Sequence, residues 1–254
     1  NMAFATALVP SISSSKAIGN METVKNRISF SLLVSILIGM PCMIAMIIFA
    51  KPILELLFPN ATSGAFIYQI SCLSIIFIVI EQIISGALHG LGKVLAPAMA
   101  LSIGVVIKFI LNLYLIPIDT KDFFLGGTAG AAISTVICHM IAVIIELKIL
   151  NKNIDLKLDK KKFVFKPMLA SIIMSVFAYT FYLVMITRIN DKIVTLLSLL
   201  MCAIIYIVVL VILKIFSKEE LFMIPFGQKI YYFLKKSGLY GNSLNADEMY
   251  TYKR

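Results

Sequence analysis

One lysine, Lys108, interrupts the otherwise apolar run "VVIKFILNLYLIP" at residues 105–117. An ammonium at the centre of a membrane-spanning helix costs about 2.5–3.5 kcal/mol on insertion scales before partners or water relieve it. Asn112 follows at i+4 and shares its helical face, so that face is expected to look into a cavity and not at lipid. The competing reading is a structural lysine held by carbonyls or by a carboxylate on a neighbouring helix. A second polar face lies in "FIVIEQIISGALHGLGK" (77–93), where Glu81, Ser85 and His89 recur every fourth residue with Gln82 beside them. Glu81 can pair with Lys108 or carry a coupling proton; His89 falls near the end of its run, where an interfacial imidazole is ordinary. In "GGTAGAAISTVICHMIAVIIELK" (126–148), Ala131, Thr135, His139, Ala142 and Glu146 form a side of small and polar residues. Close helix packing is the default explanation, with His139, near the middle, the candidate for coupling or cavity lining.

The elements that must hold these groups are transmembrane helices. Of 254 residues, 60% are hydrophobic and 14% charged, and mean hydropathy is +0.98, too apolar for the surface of a soluble domain. A span needs about 20 apolar residues to cross roughly 30 Å of hydrocarbon. Six such runs are expected, at 28–50, 65–90, 94–117, 123–147, 164–187 and 193–215, after an apolar N-terminal stretch read as the last turns of a helix that begins upstream. Pro41 and Pro97 are tolerable inside spans because neighbouring helices can satisfy the carbonyls they free. A basic loop, "LNKNIDLKLDKKKFVFK" (150–166), separates four spans from two, and "SKEELFMIPFGQKIYYFLKKSGLYG" (217–241) reads as an interfacial helix ahead of a polar tail.

Charge sets the orientation. With the N-terminal stretch leaving on the cytoplasmic side, eighteen of the 23 basic residues fall inside, four outside, and Lys108 within the membrane, as the positive-inside rule requires. The net charge of +10 is therefore topological and fits anionic lipid head groups; nucleic acid is not an expected partner. Cys42, Cys72, Cys138 and Cys202 sit in apolar runs without C-x-x-C spacing and read as small buried hydrophobes. Enzyme signatures are missing. "GGTAG" lacks the trailing G-K-[ST] of a phosphate loop, and neither H-E-x-x-H nor G-x-S-x-G occurs. No catalytic residue, metal site or cofactor is expected.

Several stretches, in this order and spacing, resemble a known family: "ALVPSISSSKAIGN" (7–20), "LIGMPCMIAMIIFAKPILELLF" (37–58), "GALHGLGKVLAPAMALSIGVVIKFILNLYLIP" (86–117) and "IPFGQKIYYFLKKSGLY" (224–240). The chain is similar to the stage V sporulation protein B branch of the polysaccharide-exporter flippases, in the MOP superfamily of MATE-like and MurJ-like transporters. The resemblance implies an all-α polytopic fold of fourteen helices. Residues 1–150 would be the end of helix eight and helices nine to twelve of the C-terminal lobe, 151–166 a cytoplasmic loop, 167–216 two additional helices, and 217–254 a juxtamembrane segment and tail. It implies a multi-pass protein of the bacterial cytoplasmic membrane that exports an undecaprenyl-pyrophosphate-linked sugar by alternating access, in spore cortex or cell-wall synthesis. Lys108 and Asn112 match the K-x-x-x-N of that branch's eleventh helix and would bind the substrate. Glu81, Gln82 and His139 would line the cavity or couple an ion. Two other readings compete: a cation-coupled multidrug exporter using Glu81 and Glu146, and a scaffold recruiting cell-wall synthesis enzymes through its basic loop and tail.

Overall fold

The structure, a computed structural model, describes residues 2–119, 123–156 and 158–216. The chain divides into a unit of residues 1–209 and a second of residues 210–254, of which 210–216 are described; the architecture below is that of the first. The expected interfacial helix and polar tail at 217–254 lie outside the described residues.

Apolar runs must be helical in a membrane because no water is present to satisfy backbone groups, and the described residues contain helices and no strand. Helix α1 (Met2–Ala17) leads to α2 (Met21–Ile48), whose cap Asn20 accepts a hydrogen bond from the Thr23 amide at 3.0 Å. The first span thus starts seven residues before the apolar run, because the cap and not hydropathy fixes a helix start. Helix α2 continues through Pro41. Helix α3 (Ala50–Leu57) and a 3₁₀ stretch (Pro59–Gly64) turn the chain toward the second span. The second span is not one rod: it is α4 (Ala65–Cys72) and α5 (Ser74–Gly90), interrupted at Leu73. Helix α6 (Leu95–Leu115) carries Pro97 in its first turn, where a missing N–H costs nothing. Helix α7 (Gly127–Ile154) ends where Asp155 turns left-handed at φ 42°, and the Asn151 side chain accepts from the Leu156 amide at 3.0 Å. A single π turn (Lys161–Phe165) leads into α8 (Lys166–Met185), followed by α9 (Asp191–Ile212). Among the described residues, six helical stretches are long and apolar enough to span.

Helix α2 is the hub, packing against α1, α3, α4, α5 and α8. Its Val24, Ile28, Leu32, Leu33 and Ile36, with Ile83, Ile84, Ala87 and Leu88 of α5, are buried. Helix α7 packs on α4, α5 and, most extensively, α6, so it stands between α5 and α6. Phe49, fully buried at the α2–α3 junction, meets the ring edges of Tyr179 and Tyr182 on α8 at centroid distances of 6.3 and 5.7 Å, tying α8 to the bundle. Three of the cysteines are buried as expected, but Cys42 is exposed.

Candidate functional site: a polar face of α5 between α1 and α7

Close approach of α1 and α5 begins the site. Gly86 and Gly90 are four residues apart on one face of α5, the small-xxx-small pattern that lets helix backbones touch. A Cβ built on Gly86 would lie 2.7 Å from the Ala5 carbonyl oxygen, and one on Gly90 2.8 Å from Ile12 Cβ. At the C-terminal end of α5, side chains of α1 satisfy its last carbonyls. Ser13 donates to Gly90 O at 3.0 Å and the Lys16 ammonium to Leu91 O at 2.7 Å. The Arg27 guanidinium of α2 in turn donates to Ser11 O of α1 at 2.7 Å and to the Ser11 hydroxyl.

Alongside this contact α1 and α5 line an open cleft of about 210 Å³. One wall is mostly apolar: Met2, Ala5, Thr6 and Val9. The other is the polar stripe of α5, where Glu81, Gln82, Ser85 and His89 line the space. The four-residue spacing read in the sequence does place these groups in one space, and His89 is the one most open to solvent.

Two side chains of that stripe also reach through to α7. His139 Nδ1 lies 2.6 Å from Glu81 Oε2, both groups mostly buried, and the ring N–H donates to the carboxylate. One turn further along α5, the Ser85 hydroxyl donates to Glu146 Oε1 at 2.7 Å. Glu146 is completely buried and its Oε2 has no partner. Because α5 and α7 run parallel, the pairs stack in order as two rungs. Glu146 belonged in the sequence to a face explained by packing; what could have singled it out is its place seven residues after His139, two turns along the same face.

Lys108 and Asn112 lie elsewhere. Gly104, one turn before Lys108, allows α6 to approach α7 so closely that a Cβ there would sit 2.6 Å from Cys138 O. Lys108 and Asn112 continue from that contact, half-buried, and neither lines the cleft. An ion pair between Lys108 and Glu81 does not form: α7 intervenes, and Glu81 is taken by His139. Among the described residues no acceptor bonds the Lys108 ammonium, and Asn112 Oδ1 is buried and unpaired.

Helices of this length, order and polarity define an all-α, multi-pass membrane protein. Residues 1–114 match the MatE family model. The chain is 28% identical over 242 residues to "Uncharacterized membrane protein YabM" of Bacillus subtilis (strain 168), an alignment covering 92% of this chain and 44% of that protein. Its fold is similar to that of the structure titled "Lipid II flippase MurJ, inward closed conformation", with a TM-score of 0.62 and 20% identity over 81% of this chain and 42% of the other. The chain therefore spans less than half the length of either relative.

Proposed function

We propose that this chain forms one lobe of a flippase that exports a lipid-linked oligosaccharide, or a peptidoglycan or polysaccharide precursor, by alternating access. The observation that carries the reading is a membrane-buried polar face opening to a cleft, in a fold similar to that of a lipid II flippase. In such transporters lobes rock about a polar space near the membrane midplane. The saccharide head would cross through that space while its chain stays in lipid. Lys108 is assigned to the pyrophosphate at its half-buried position on α6, outside the α1–α5 cleft: it is an ammonium with no bonded partner among the described residues, and a point charge can follow a moving anion. Asn112 is assigned to accept from a hydroxyl of the head group. Glu81, Gln82 and His139 are assigned to cavity lining and coupling. Service in spore cortex or cell-wall synthesis completes the proposal.

Liposomes containing the full protein and a fluorescent lipid-linked sugar test this directly. Head-group translocation should require the protein, fall in Lys108→Ala at equal protein level, and partly return in Lys108→Arg. No protein-dependent translocation, or full activity in Lys108→Ala, would refute the activity or the assignment respectively. The MatE match and the carboxylate of Glu81 in the cleft favour a second reading, a cation-coupled multidrug exporter. An unchanged drug-susceptibility profile on deletion would eliminate it.

A further inference from the structure

Glu146 has no part in the assignments above, yet it is the most deeply enclosed charge-bearing side chain among the described residues, with none of its surface exposed. One serine hydroxyl is its sole hydrogen-bond donor, and Oε2 faces no polar atom that could bond it. An ionised carboxylate leaves water at heavy cost unless a cation or several donors replace the lost hydration. None does. The helices packed against α7 are α4, α5 and α6. Their titratable groups are Tyr68 and Cys72 on α4, Glu81 and His89 on α5, and Lys108 and Tyr114 on α6. On α7 itself are Cys138, His139, Lys148 and Lys152. No ion pair joins any of these to Glu146; the nearby histidine, His139, is committed to Glu81, and Glu81 has the same sign as Glu146. Three ligating side chains able to hold a metal ion do not come together among the described residues.

Ser85 occupies an unusual position between two environments. It lines the open α1–α5 cleft, and its hydroxyl points to the sealed carboxyl. We propose that Glu146 is a one-proton site. It packs in the α5–α7 interface as a neutral acid and exchanges its proton with the cleft through Ser85. On loading, the Ser85 oxygen accepts a proton from a hydronium ion in the cleft, leaving water there, as its own O–H bond breaks toward Glu146 Oε1. One proton moves, the hydroxyl is restored, and nothing is oxidised or reduced. Unloading leaves a bare anion with one hydrogen bond between two packed helices, so α5 and α7 must separate enough to admit water. Proton occupancy thereby holds α7 against α5. This site exists whatever the protein carries, so it can be tested apart from transport.

The full protein, reconstituted in lipid, is to be examined by infrared spectroscopy at neutral pH. A protonated-carboxyl C=O band is expected, absent in Glu146→Gln and retained in Glu81→Gln. Ser85→Ala should move that band to higher frequency, because the carboxyl loses its hydrogen-bond partner. Raising the pH should abolish the band and speed amide exchange in α5 and α7 together. Absence of the band at neutral pH, its survival in Glu146→Gln, or its loss in Glu81→Gln alone would overturn the proposal. Should Glu146→Gln fail to insert, the Ser85→Ala frequency decides: an unshifted band refutes the site.

Discussion

Placing a methyl group on Gly86 tests whether α1 is seated on α5 as described. The new Cβ would lie 2.7 Å from the Ala5 carbonyl oxygen, where ordinary contact begins at 3.4 Å. The obstacle is backbone, so no rotamer change relieves it and α1 must retreat by about 0.7 Å, the difference between those distances. Overpacking of this kind costs about 1–3 kcal/mol. The same retreat stretches the Ser13–Gly90 bond, now 3.0 Å, past the ~3.5 Å at which a hydrogen bond is lost, and weakens that of Lys16. Interhelical hydrogen bonds in membranes average about 0.6 kcal/mol each. The expected loss for Gly86→Ala is therefore about 2–4 kcal/mol. Two other glycines calibrate it. A Cβ on Gly39 meets the Val79 side chain at 2.6 Å, and one on Gly64 meets nothing within 4 Å. Unfolding in mixed micelles of rising denaturing-detergent fraction, followed by circular dichroism, should rank the losses Gly86→Ala, then Gly39→Ala, then Gly64→Ala, the last within about 0.5 kcal/mol of wild type. Equal midpoints for the Gly86 and Gly64 variants would refute the α1–α5 contact, and with it the cleft alongside.

Three further perturbations probe other contacts. A double-mutant cycle on Glu81→Ala and His139→Ala should return a coupling of about 1 kcal/mol, within the range of ~0.6–1.7 kcal/mol for interhelical pairs in membranes, because the orphaned partner of either single variant can still reach water in the cleft; a coupling under about 0.3 kcal/mol would make the 2.6 Å contact energetically idle. Lys16→Met keeps the apolar stem but removes the donor to Leu91 O, and should cost about 0.5–1.5 kcal/mol in the same unfolding assay; no change would mean that carbonyl is served equally well by water. Phe49→Leu keeps an apolar side chain but loses both edge-on contacts with Tyr179 and Tyr182, at about 0.5–1.5 kcal/mol beyond any area effect, and should raise amide exchange in α8 more than in α7; equal change in the two helices would argue that Phe49 does not anchor α8.

Much of this architecture is legible in the residues, since span number follows from hydropathy and the polar stripe on α5 from helical periodicity. The break at Leu73 was not legible. "ISCLSII" contains neither glycine nor proline, and the interruption stands beside a tertiary tie, the Gln69 amide donating to Ile47 O at 3.0 Å across to α2. Periodicity likewise placed His139 and Glu146 on one face of α7 without saying which helix that face would meet. Of the two roles left open for Glu81, the pair with Lys108 does not form for this reason: Gly104 seats α6 on α7. Periodicity gives the face; the partner is decided by where small residues permit close approach.

The direction taken by buried hydroxyls and acids separates scaffold from function. On α8 and α9, Ser171, Ser175 and Thr195 are buried, but each donates to a carbonyl four residues back on its own helix, Pro167, Ser171 and Asp191 respectively, at 2.7–2.8 Å. Such bonds survive any movement of one helix against another and carry no information between helices. On α7, Ser134 and Thr135 do the same toward Gly130 and Ala131, but two pairs between α5 and α7 behave otherwise. Glu81 meets His139 and Ser85 meets Glu146, each across a helix interface and each within a turn of a cleft open to solvent. Bonds of that kind must change when α5 and α7 shift, and a change in protonation or ligand in the cleft must in turn bias the shift. On the proposed reading, the α5–α7 interface is where binding and conformation would be linked, and α8, fastened to α2 through Phe49, is positioned as support.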